Sequence, residues 1–170
     1  VLCGSAFTME GVDMLLDAIV DHLPSAWESG GEVAEDAEGN PVEIECTDEA
    51  PLSAFVFKTV ADPFVGKLSY VKVVSGKLAS DSNPVNVRTG QTERLGKVIY
   101  TRGKKQEDTA FITAGDIGAI TKLSEAVTGD SLCDPKRAVK FEPAAFPHPT
   151  LTMAVKAKNK GDEGKVAQAM

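Results

Sequence analysis

Between Pro51 and Pro135, apolar and β-branched residues gather in short runs, each bounded by Gly, Asp, Asn or Pro, and the stretch reads almost entirely as short strands. The central passage, Phe64 to Leu78, sets Leu68, Tyr70, Val71, Val73 and Val74 between Gly66 and Gly76, which is the pattern of a long strand between two turns. Similar runs follow at Pro84 to Arg88, Leu95 to Tyr100 and Asp116 to Leu123. The opening strand, Leu52 to Val60, carries Ala54-Phe55-Val56-Phe57, apolar on both faces, as expected for a strand covered by a neighbouring domain as well as by the barrel core. Strands this short and regularly punctuated predict a closed sheet, because closure removes exposed edges. Ala114-Gly115-Asp116 and Thr128-Gly129-Asp130 form a matched pair of turns, with glycine supplying positive φ and aspartate capping the turn.

The flanks read differently. Val12, Leu15, Leu16, Ile19 and Leu23 repeat at helical spacing, with Thr8 placed to cap the helix and Pro24 to stop it. From Glu28 to Glu49 there are nine acidic residues and no Lys or Arg, a run read as a solvated connector with a short hairpin strand at Val42 to Ile44. A calcium loop would need alternating acids closed by a glutamate, and that spacing is absent. After Pro135 the prolines at 143, 147 and 149 predict a semi-rigid linker. Leu151 to Ala157 then alternates as a strand, and Gly161-Asp162-Glu163 opens a helix. The division expected is 1–24, 25–50 (connector), 51–135 (barrel), 136–149 (linker) and 150–170. The chain begins without methionine inside an apolar stretch, so it is read as a piece of a longer protein.

Charge changes this picture in one respect. The net charge of −7 belongs to the acidic run, because the rest of the chain carries 18 basic residues against 16 acidic. Within it, Arg88 to Lys105 holds six basic residues (Arg88, Arg94, Lys97, Arg102, Lys104, Lys105) against Glu93 alone, an excess suited to a phosphate backbone. Tyr100 is the one aromatic there, so base stacking is the weaker option. The plain alternative is a solvated basic loop. Cys3, Cys46 and Cys133 have neither metal-ligand nor redox spacing and read as free thiols of a reducing cytosol. His22 and His148 are isolated, no catalytic constellation is visible, and no metal site is predicted. No apolar run approaches the length that crosses a bilayer.

Three stretches together resemble the elongation factor G family of translational GTPases. Val1-Leu2-Cys3-Gly4-Ser5-Ala6-Phe7 is similar to the last nucleotide motif of the GTPase domain. Pro51-Leu52-Ser53-Ala54-Phe55-Val56-Phe57-Lys58, Gly66-Lys67-Leu68-Ser69-Tyr70 and the two Gly-Asp turns resemble the second-domain barrel. Pro149 to Val155 resembles the opening strand of the third domain. The resemblance implies a mainly β fold: a six-stranded Greek-key translation-factor barrel, preceded by the end of a GTPase domain and followed by the start of an α+β, ferredoxin-like domain.

By the same resemblance the parent protein binds GTP and Mg²⁺ and promotes ribosomal translocation in the cytoplasm. Ser5 and Ala6 would approach the guanine base. Its implied partners are the ribosome (small-subunit RNA and proteins) and its own GTPase domain, with no membrane and no DNA. This chain has no G-x-x-x-x-G-K-[ST] loop and no switch segment, so it is expected to hold no cofactor and to hydrolyse no GTP by itself. One departure is Ile99-Tyr100-Thr101-Arg102-Gly103-Lys104-Lys105, where elongation factor G carries a Met-His-Ala-Asn type of segment. The basic version looks more like the elongation factor G-like paralogues, so a recycling, accessory or ribosomal-protection factor stays open. A non-enzymatic β-barrel interaction module is the alternative outside the family.

Overall fold

A computed structural model describes residues 1–62, 66–103 and 105–169; Phe64 and Lys104, both singled out above, lie outside the described residues. The two longest strands are β3 (Ser53–Asp62) and β4 (Gly66–Ser75), paired antiparallel along their lengths. On β3's other edge lies β12 (Ser131–Cys133), followed by β6 (Val85–Asn86) and β7 (Gln91–Thr92). On β4's other edge lie β11 (Ile117–Thr121), β8 (Val98–Arg102) and β9 (Lys105–Thr109). The ends of this sheet are joined by β10 (Phe111–Ile112), which continues β9 and pairs with β5 (Leu78–Ala79). The 80–82 segment after β5 then runs beside residues 95 and 96, through Leu95 N–H to Ser82 O and Asp81 N–H to Gly96 O.

Alternation along β3 and β4 explains why this sheet curls. Ala54, Val56, Val71 and Val73 point inward and meet Leu78, Leu95, Val98, Ile112, Ile120, Leu123, Ala126 and Leu132, all buried. Each of the valines, leucines and isoleucines removed from water contributes roughly 1.5–3 kcal/mol. Where a six-stranded barrel is expected, the described residues hold ten strand segments from β3 to β12, because glycines and bulges break the strands. The long run through Leu78 breaks at Gly76 (φ 71). A register shift between Val56 and Lys58 puts Phe57 in a bulge, where its ring leans on Tyr70 at 6.2 Å between centroids.

The acidic segment is not only a solvated connector. β1 (Glu32–Glu35) and β2 (Pro41–Ile44) form a hairpin around a turn in which Asp36 accepts from the N–H groups of Glu38 and Asn40. Glu35 and Glu43 face outward with Val33, Glu32 on the inner face is ion-paired with Lys72 of β4, and Ala34 and Ile44 are buried with Val74, Cys133, Val139 and Phe141. Phe55 of β3 meets Phe141 edge-on at 6.2 Å, so it is covered from within the chain rather than by a neighbouring domain, while Phe57 stays partly exposed. Val139 and Phe141 are also why the stretch after Pro135 is not a plain linker until Glu142.

Two expectations at the flanks are corrected. The first helix, α1 (Val12–His22), begins at Gly11 (φ 73), not Thr8. Residues 5–10 are held in a turn by Ser5 N–H to Glu10 O (3.0 Å), so the backbone is not helical there. Leu151 to Ala157 forms no strand, since no other segment of the described residues lies beside it to take its backbone hydrogen bonds. The second helix, α2 (Glu163–Ala169), follows where expected.

Gly76 tests this packing. A Cβ there would lie 2.6 Å from Ala50 O and 2.8 Å from Leu52 N, at positive φ, whereas Gly90 (φ 70) has nothing within 4 Å. Gly76→Ala is expected to cost about 2–4 kcal/mol in chemical denaturation and Gly90→Ala about 1 kcal/mol. Equal costs would show that the turn at Gly76 relaxes freely.

Candidate nucleic-acid interface

The basic residues between Arg88 and Lys105 are spread over three places. Arg88 sits in the turn between β6 and β7, Arg94 and Lys97 lie on the segment leading into β8, and Arg102 and Lys105 face each other across the β8–β9 turn. Gly103, at φ 61, opens that turn. The strand β9 had no apolar alternation to announce it; Lys105-Gln106-Glu107-Asp108-Thr109 is a strand because β8 takes its hydrogen bonds.

Most of these cations have an internal counter-ion that a local count misses. Lys97 Nζ meets Asp108 Oδ2 at 2.5 Å; Lys105 Nζ and Arg102 Nε meet Glu107 at 2.9 and 3.6 Å. These acids lie just past Lys105, and the hairpin folds them back onto the basic strand. All three pairs are at the surface, where such contacts contribute about 0–1 kcal/mol, so each cation remains exchangeable with an external anion. Lys97 gains a higher pKa from its hydrogen bond to Asp108. Arg94 is exposed and has no ion pair among the described residues.

Arg88 is different, because its partner is buried. Its Nε donates to Asp130 Oδ1 at 2.7 Å, and its terminal nitrogen donates to Asp130 Oδ2 at 3.0 Å and to Glu125 O at 3.1 Å. Asp130 is 3% exposed and also accepts from Asn86 Nδ2 (2.9 Å) and Val127 N–H (3.0 Å). Asn86 Nδ2 in turn donates to Glu93 Oε1, and Glu93 Oε2 accepts from Glu125 N–H. Burial pushes the Asp130 carboxyl up, yet the hydrogen bonds from Arg88, Val127 and Asn86 outweigh it and hold it below the usual carboxylate range. The bond to Asp130 likewise raises Arg88. The Gly129-Asp130 turn is legible in sequence; Arg88, 42 residues away, carries no local sign of being its partner.

The matched turn at Asp116 works the same way at lower stakes. Gly115 has φ 83, Asp116 Oδ1 accepts from Ile117 N–H, and Oδ2 accepts from Tyr100 Oη at 2.7 Å. Partial burial and that hydrogen bond push the Tyr100 phenol up to about 12. Tyr100 is thus tied to the barrel end.

Ser5 and Ala6 lie in the turn before α1. Ser5 N–H is given to Glu10 O and Ser5 Oγ accepts from Thr8 N–H at 3.3 Å, whereas Ala6 is exposed and its N–H has no acceptor among the described residues. Gly4 and Gly11 make the turn possible, since a Cβ on either would come within 2.8 Å of backbone oxygen. Among the described residues no three His, Cys, Asp or Glu side chains come together to hold a metal. Cys3 is exposed and Cys133 buried, its thiol donating to Val139 O and raised by burial. No helix of the described residues is long and apolar enough to cross a membrane.

The Asp130 network sets a pH prediction. A carboxyl depressed in the folded state contributes stability above its unfolded pKa of about 3.9 and loses it as pH falls through the folded value. Asp130→Asn is expected to cost about 2–4 kcal/mol at pH 7, with the gap to the unsubstituted protein closing below about pH 4 in urea titrations. A gap independent of pH would assign the cost to packing.

Comparison with known proteins agrees with the topology. The family model for Elongation factor G domain 2 matches residues 51–135. A crystal structure of a protein from Thermus thermophilus is similar with a TM-score of 0.67 and 25% sequence identity, covering 94% of this chain and 22% of that chain. The chain therefore spans about a fifth of that relative's length. Residues 51–135, half of the chain, match the second domain of elongation factor G, and the chain belongs to that family.

Proposed function

We propose that this chain is part of a GTP-dependent translation elongation factor, acting in the cytoplasm, whose barrel couples a GTPase domain to the ribosome during translocation. The domain-2 match over residues 51–135 carries this reading. The first helix supports it: α1 has no buried residue, and Leu15, Leu16, Ile19 and Leu23 are each 43–62% exposed on its apolar stripe. A GTPase domain would cover that stripe, and Ala6 N–H would be available to the guanine base. GTP and Mg²⁺ belong to that domain in this reading. The Arg102-Gly103-Lys104-Lys105 sequence keeps a paralogue with a recycling or protective role as the second reading within the family.

On the ribosome, the proposed partner of the basic face is small-subunit RNA. The surface pairs of Lys97, Arg102 and Lys105 can be traded for phosphates, because a weak exposed ion pair is easily replaced by another. Charge reversal at Arg102, Lys104 and Lys105 together is expected to weaken binding to small ribosomal subunits and to flatten its salt dependence. Unchanged binding would reject the hairpin as a contact. The chain by itself is expected to show no saturable GTP or GDP binding in a nucleotide titration, since it has no phosphate-cradling loop.

A further inference from the structure

The barrel closure creates a basic surface that no single stretch of sequence contains. Residues 93–97 run antiparallel to residues 121–125, fixed by Thr121 N–H to Lys97 O (3.1 Å) and by Glu125 N–H to the Glu93 carboxylate. They approach closely because position 96 is glycine; a Cβ there would lie 2.9 Å from Thr121 O. On the next strand, Lys122 N–H donates to Lys67 O at 3.0 Å, and Lys67 Nζ reaches Ser124 O. Three cations from three distant segments (Lys67 on β4, Arg94 before β8 and Lys122 after β11) are thereby placed on adjoining stretches of backbone.

Their electrostatic situation differs from that of the hairpin cations. Arg94 and Lys122 are exposed, and neither has an ion pair among the described residues; Lys67 gives its ammonium to an uncharged carbonyl. Of the nearby acids, Glu93 is buried and held by Asn86 and Glu125 N–H, Asp108 is held by Lys97, and Glu125 lies by Arg88. Asp81 remains, sharing with Lys122 a shallow hollow also lined by Gly96, Lys97, Gln106 and the Lys97-paired Asp108. Arg94 is presented rigidly, since Glu93 N–H and Leu95 N–H on either side are bonded to Pro84 O and Ser82 O. Lys122 has φ 60, a conformation that glycine or asparagine would adopt with less strain, yet a cation occupies it.

We propose that Arg94 and Lys122, with Lys67 beside them, form the anchoring contact of the barrel with an RNA phosphate backbone, and that the β8–β9 hairpin is secondary to it. This rests on the proposed ribosomal partner and adds where the contact lies. An external phosphate meets Arg94 and Lys122 without first breaking an internal pair, whereas at Lys97, Arg102 and Lys105 it must displace a carboxylate.

The test is a titration of the chain with small ribosomal subunits at salt from about 50 to 200 mM, the range over which counter-ion release is read. Arg94→Gln with Lys122→Asn is expected to lower affinity about tenfold or more and to reduce the salt slope by about 1–2. Asparagine tolerates positive φ, so Tm should be unchanged or raised, which separates lost contact from lost fold. Lys97→Gln, Arg102→Gln and Lys105→Gln, made singly, are expected to change affinity less than about threefold. If the double variant binds like the parent while the hairpin variants lose affinity, the anchor is misplaced and the RNA reading survives. If the unsubstituted chain shows no salt-dependent binding to subunits, both the anchor and the partner are rejected.

Discussion

The pairing of β3 with β4 is the constraint on which the rest of the molecule depends. These two ten-residue strands follow one another closely in the chain, and the rest of the large sheet is built outward from their free edges through β12 and β11. Their inward residues, Ala54, Val56, Val71 and Val73, demand a core, while the outward Phe55 and Val74 demand a second cover. A flat sheet cannot satisfy both demands without leaving edges open. Curling satisfies the first, and the returning strands β12 and β11 close the edges of β3 and β4.

The second cover comes from segments that look like connectors. The acidic hairpin has few apolar residues, yet Ala34 and Ile44 alternate onto one face, and Val139 and Phe141 approach from the far end of the barrel. An isolated two-stranded hairpin is marginal in water. This one persists because Phe55, Val74 and Cys133 give its apolar face somewhere to go, and because Glu32 on that face is paired with Lys72 of β4. Glu35 and Lys140 also exchange backbone hydrogen bonds at 2.8 Å, tying the hairpin to the exit of the barrel. The ends of β3 and β4 are fastened there too, by Arg137, which donates to Pro51 O, Ser53 Oγ and Ser75 Oγ.

Charge follows the same division between what is committed and what is available. Arg88 completes the hydrogen bonding of a buried carboxylate, so its role is structural first. Lys97, Arg102 and Lys105 rest on exposed acids. Arg94 and Lys122 are held by their backbones and left without counter-ions among the described residues. A surface that binds a polyanion and a barrel that must not fold around unpaired charge have conflicting needs. The chain meets them by confining buried charge to the Asn86, Arg88, Glu93 and Asp130 network.

Local pattern determined most of the architecture. Short apolar and β-branched runs bounded by Gly, Asp, Asn or Pro marked β3, β4, β8 and β11, and the Gly-Asp turns were legible because positive φ and a short acceptor side chain leave a distinct signature. The residues that carry the family resemblance were likewise readable one after another. What required the tertiary structure were relations between distant residues: the start of α1 at Gly11, where a Ser5–Glu10 bridge overrides the Thr8 cap; the charged strand β9, which exists only because β8 pairs with it; the covering of Phe55 by Phe141; and the absence of a strand at Leu151 to Ala157, which has alternation but no partner. The basic surface shows the same limit. Sequence counted six cations between Arg88 and Lys105, but which of them are neutralised by Glu107, Asp108 and Asp130, and that Lys122 stands beside them, is decided by strand register alone.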